Sequence, residues 1–141
     1  MKILLFIAVF IFAVSAAQAQ TINPTDAKMS LSAAQLETIK DIRAKAAREA
    51  APTALRLAAT IKQIYTNMLA DKPDAKLRAR LSKQMTDNTV KLLLIKGQSI
   101  REMVNALIPE QKRMLKSEME KPGAPADLSE LMEHIFNVPK Q

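Results

Sequence analysis

The chain is 141 residues long, with no Cys, no Trp and only two Gly, and its 21 Lys/Arg outnumber 14 Asp/Glu for a formal charge of +7. Those counts exclude a disulfide scaffold, a thiolate zinc site, a Cys nucleophile and a Gly-rich phosphate loop, and they leave too few turn residues for an all-β sandwich. What remains is a small, basic, all-α protein of at most one domain, whose work is binding.

Met1-Lys2 precedes an unbroken apolar run from Ile3 to Val14, and Ser15-Ala16-Ala17-Gln18-Ala19 follows. A charged start, a short apolar core and an Ala-x-Ala exit are the three parts of a secretory signal peptide, predicted over 1–19 with cleavage after Ala19. As a helix the apolar run rises only about 18 Å, short of the ~30 Å needed to cross a bilayer, so no stable membrane insertion is expected. Phe6, Phe10 and Phe12 leave with the signal, and the mature core falls to Leu, Ile, Ala, Val and Met, with Tyr65 and Phe136 as its aromatics.

Residues 20–30 read as a polar, disordered leader. Ser32 and Gln35 then have capping-box spacing, the hydroxyl accepting from one end of the first turn while the amide reaches back to the other. Leu36, Ile39, Ile42, Ala46 and Ala50 follow at helical spacing, until Pro52 predicts a kink or a break. A second helix carries Leu57, Ile61, Ile64, Tyr65, Met68 and Leu69 on one side, and Asp71-Lys72-Pro73-Asp74 is a turn. Ala75 to Leu107 contains no proline and predicts the longest helix, roughly 50 Å. Pro109 opens a further helix from its first turn. Residues 122–126 are a linker, and a short amphipathic helix over 127–138, capped by Asp127, carries Leu128, Leu131, Met132, Ile135 and Phe136.

The long helix has two apolar stripes. Leu77, Leu81, Met85, Leu92, Ile95 and Met103 form one. Past Thr89 a second, made of Val90, Leu93, Ile100 and Val104, lies on the opposite side. A helix apolar on both sides is covered on both sides or presents a binding surface. Three readings stay open here: a helix at the centre of the monomer, a dimer mate along the second stripe, or an open face for other proteins.

Leu31-Ser32-Ala33-Ala34-Gln35 and Leu107-Ile108-Pro109-Glu110-Gln111 both resemble the LTxxQ motif of the Spy/CpxP family of small periplasmic helical proteins. The order of signal peptide, motif, two helices, turn, long helix and second motif is similar too, and the resemblance covers about residues 29–120, within a helical domain over 31–121. Leu31, Ser32, Gln35, Leu107 and Gln111 match the motif. Ile108 stands where the second motif has Thr and has no acceptor to offer, which weakens that cap by about 1 kcal/mol. The resemblance implies a helical hairpin or bundle of four to five helices forming a cradle-like homodimer in the periplasm. It also implies ATP-independent holding of unfolded or partly folded proteins. Alternatives within the family are a stress adapter that binds the periplasmic domain of a sensor kinase, and a metal sensor.

Charge supports the holding role. From Glu37 to Arg101 there are fourteen basic and six acidic residues, whereas the stretch from Pro122 is net acidic. A basic face beside apolar surface suits non-native chains and makes encounter salt-dependent. The expected contact residues are Arg43, Arg48, Arg78 and Lys96 for charge, with Leu93, Ile100 and Val104 for apolar contact. Nucleic acid is disfavoured by export and by the lack of stacking aromatics. Anionic lipid head groups are a lesser alternative. His134 is the only imidazole, and Met68, Met85 and Met103 fall on core stripes, so no metal site and no cofactor are predicted. The carboxylate pairs Asp71/Asp74 and Glu118/Glu120 read as turn and surface residues, which argues against an enzyme.

Overall fold

The computed structural model describes residues 30–138, and these form four helices with no strand among them. The predicted signal peptide, residues 20–29 of the leader and the last three residues lie outside the described residues. The helices are α1 (Ala33–Met68), α2 (Ala75–Asn105), α3 (Pro109–Met119) and α4 (Leu128–Phe136).

The break expected at Pro52 does not occur: α1 runs through it as one helix. Pro52 cannot donate to the Arg48 carbonyl, but both residues lie on the exposed side of α1, where the loss of one backbone hydrogen bond costs less than in a buried helix. The flanking alanines, among them Ala46, Ala47, Ala50, Ala51 and Ala54, carry the helix across on propensity and packing.

Contacts divide the described chain into two compact units, and the division falls within α1 and α2. The first, the hairpin unit, is Lys45–Gly97. Its core is small: Ala50, Ala54 and Leu57 of α1 pack with Leu92 of α2, and Ile61 and Ile95 flank them. Alanines on the α1 side leave little apolar area to bury. Thr53, fully buried in α1, finds no partner for its hydroxyl among the described residues. Thr38, Thr60, Thr66, Thr86 and Thr89 instead donate to the carbonyl four residues back, at 2.9–3.1 Å. The turn between α1 and α2 is pinned by Asn67, whose amide donates to the Asp74 carbonyl at 3.0 Å and accepts from the Asp74 N–H at 2.9 Å. Asp74 then caps α2, its Oδ1 accepting from the N–H groups of Lys76 and Leu77.

The second unit comprises residues 30–44 and 98–138. Its core is broader, with Leu31, Ile39, Met103, Leu107, Leu115, Leu131, Met132, Phe136 and Val138 buried together and Leu36, Ile42, Ile100, Val104 and Met114 packed against them. Asp127 caps α4 by accepting from Ser129 N–H at 2.9 Å, and Asn137 ends it in the left-handed conformation, φ 50°. Arg43 of α1 donates to Glu133 of α4 at 2.8 Å, a pair that is mostly buried and ties the chain's two distant segments together. The segment over 122–126 therefore links two helices of one core. Tyr65, expected in the core, is instead exposed in the hairpin unit, and so is Met68. Phe136 is the aromatic that the core uses.

Candidate functional site

Two features stand apart from ordinary packing: a polar clasp in the second unit and an open surface on the hairpin unit.

The clasp joins the two motif glutamines. Ser32 and Gln35 form the full capping box, with Gln35 N–H donating to Ser32 Oγ at 3.1 Å and Ser32 N–H donating to Gln35 Oε1 at 3.0 Å. At the other motif Gln111 Oε1 accepts from Ile108 N–H at 3.0 Å, and Ile108, lacking an acceptor, leaves the forward half of the box unmade. The two amides then face each other. Gln35 Nε2 donates to Gln111 Oε1 at 2.9 Å and Gln111 Nε2 donates to Gln35 Oε1 at 3.3 Å. Each Nε2 also reaches the backbone carbonyl two residues before the other motif's cap, Ala106 at 2.9 Å and Ser30 at 3.3 Å. The contacts are reciprocal, as in a local two-fold arrangement of the two motifs. Gln111 is almost fully buried, and its amide is satisfied at both ends. Leu31 and Leu107 are buried beside it. Leu31, Ser32, Gln35, Leu107 and Gln111 thus act as one structural joint, in which only the returning half of the box is made at Ile108.

The open surface is on the hairpin unit. Of the ten large hydrophobic residues exposed among the described residues, eight lie there: Leu55, Tyr65, Met68, Leu69, Met85, Val90, Leu93 and Leu94. Val90, Leu93 and Leu94 fall at i, i+3 and i+4, so they share one face of α2, and Leu93 and Leu94 are 60% and 68% exposed. Gly97 continues the strip into open space, since a Cβ there meets no neighbouring atom. The buried seam of Leu81 and Leu92 is on the opposite side of the same helix. The unit carries eleven basic and four acidic residues, a net +7, whereas the described part of the second unit has seven basic and nine acidic, a net −2. Lys83 is held by Asp87 at 2.8 Å. Arg48, Arg56, Arg80 and Lys91 are exposed and make no ion pair among the described residues.

The predicted contact residues are not brought together. Leu93 is on the open strip of α2. Ile100 and Val104, expected on the same stripe, are half-buried against the core of the second unit. The stripe is therefore open along Val90–Leu93 and covered along Ile100–Val104. Arg43 is engaged by Glu133 in the second unit. Arg48 is exposed on the side of α1 that faces away from Ala50 and Leu57, and Arg78 is exposed near the start of α2. Lys96 is half-buried and already engaged within the chain. Leu55, Leu69 and Leu94 escaped the sequence reading as contact residues. Leu94 was within reach of it, because the run Leu92-Leu93-Leu94-Ile95 cannot all point into one seam.

Among the described residues no group of three or more His, Asp or Glu side chains is placed to hold a metal ion. No helix among them is long and apolar enough to cross a membrane. Comparison of the chain with protein-family models, with curated proteins and with solved structures found no match.

Proposed function

We propose that the protein is an exported, ATP-independent chaperone of the Spy/CpxP kind, which holds unfolded or partly folded proteins in the periplasm on the open surface of its hairpin unit. The observation that carries this reading is the coincidence in one unit of eight exposed large hydrophobics and a net charge of +7. Within it the strip of Val90, Leu93 and Leu94 is contiguous apolar surface of a kind that monomeric proteins rarely leave uncovered unless it meets a partner. Unpaired Arg and Lys beside that surface attract acidic segments of a non-native chain and speed its capture, while shallow apolar contacts keep the grip weak and reversible. Nothing in such a cycle requires a nucleotide. The second unit supplies the rigid part, a packed core closed by the glutamine clasp.

The test is aggregation of a denatured model protein on dilution, with and without residues 20–141, at low and high salt. Suppression near equimolar ratio without ATP, weakened by salt, is the expected result. No suppression at several-fold excess overturns the reading and favours the sensor-kinase adapter, which captures one folded partner instead of many denatured ones. The homodimer implied by the family resemblance belongs to this proposal and is read by light scattering. A two-chain particle that falls to one chain in Leu93→Asp places the seam on the α2 strip. A monomer throughout leaves that strip wholly to clients.

A further inference from the structure

We infer that the turn end of the hairpin unit is a docking tip for a bilayer surface bearing anionic phosphate head groups. The tip is apolar at its apex and cationic around it. Tyr65, Met68 and Leu69 fall at i, i+3 and i+4 and so cluster on one side where α1 ends, 61%, 59% and 86% exposed. Lys62, Lys72, Lys76, Arg78 and Arg80 lie within a turn or two of helix from the turn, all exposed and none in an ion pair among the described residues. Only Asp71 and Asp74 oppose this charge, and the Asp74 carboxylate is spent on the first turn of α2. The turn is stiff, because Asn67 clasps Asp74 from both sides, so little ordering remains to be done when it docks.

The arrangement matches what an interface demands. Apolar side chains at an apex enter the boundary between head groups and acyl chains, a tyrosine sits at head-group level, and each Lys or Arg around them meets phosphate. The tip differs from the strip of Val90, Leu93 and Leu94 in carrying a tyrosine and five exposed cations that make no ion pair among the described residues. The docking is peripheral and reversible, and it would hold the chaperone near proteins emerging at the membrane.

The chain contains no Trp, so Leu69→Trp and Leu94→Trp each place one reporter in residues 20–141, at positions exposed enough that folding is unaffected. Vesicles of phosphatidylglycerol and phosphatidylethanolamine, and of phosphatidylcholine alone, are titrated into each. The expected result is a blue shift of the Leu69→Trp emission on the anionic vesicles only, reversed by salt, with Leu94→Trp unmoved. Lys72→Glu/Lys76→Glu added to Leu69→Trp weakens binding by more than about thirtyfold, since each lost cation near such a surface is worth about fivefold and the added carboxylates repel it. Glu at position 76 is favourable at a helix N-terminus, so the weakening is not a folding defect. No shift on anionic vesicles, an equal shift on neutral ones, a shift of Leu94→Trp instead, or a Leu69→Trp shift on denatured protein but not on vesicles would each overturn the inference.

Discussion

The hairpin unit and the second unit are built from the same residue types and spend them in opposite ways. In the second unit Leu, Met and Phe side chains converge on one core, acidic residues offset basic ones, and the amides of half-buried Gln35 and buried Gln111 bond each other. In the hairpin unit alanines line much of the seam, a buried threonine hydroxyl is left over, and leucines that could have thickened the core stand in water among unpaired cations. Apolar residues are therefore not in short supply in the hairpin unit. They stand outside the core, where they add little to the stability of the fold.

That comparison is tested most severely where the second unit is densest. Phe136→Ala removes a buried ring and is expected to cost about 3–5 kcal/mol, read by urea denaturation. The equivalent loss at exposed Leu94, in Leu94→Ser, is expected to leave the midpoint within the scatter of ordinary surface substitutions. Gln111→Ala orphans the Ile108 N–H and half of the Gln35 amide, for about 2–3 kcal/mol. A cycle with Gln35→Ala isolates the coupling, expected at about 1 kcal/mol or more, because the two amides bond each other directly at 2.9 and 3.3 Å. In the hairpin unit the signs reverse. Thr53→Val removes the unpartnered hydroxyl and Gly97→Ala removes a mid-helix glycine with room for its Cβ. Each is expected to stabilise by about 0.5–1 kcal/mol, seen as slower hydrogen exchange in α1 and α2.

Local chemistry was legible in the residues themselves. The Ser32/Gln35 box, Pro109 at the start of α3, the Asp127 cap and the turn at 71–74 all follow from rules that act within four residues, and all are present. The stripes Leu36–Ala50 and Leu128–Phe136 also fall on buried or half-buried positions, because each stripe meets packed side chains on one side of its helix. What escaped depends on distance along the chain. No periodicity brings Gln35 to Gln111 or Arg43 to Glu133, and Asn67 reads as an ordinary polar residue until the turn closes on it. The second stripe of α2 shows the limit best. A helical wheel places Val90, Leu93, Ile100 and Val104 on one side, but how far the cover extends depends on which core claims each turn. Pro52 failed as a breaker for a related reason: its effect depends on which side of α1 meets water.

The central claim is that client holding belongs to the hairpin unit because its exposed apolar groups are there. Aggregation of a denatured model protein, followed by light scattering, tests it with two matched variants of residues 20–141. Leu93→Ser/Leu94→Ser strips two exposed side chains from the hairpin unit, and Ile108→Ser/Met119→Ser strips the two exposed in the second unit. The first variant is expected to lose most of its suppression while the second keeps it. Equal suppression by both, or loss confined to the second, would contradict it.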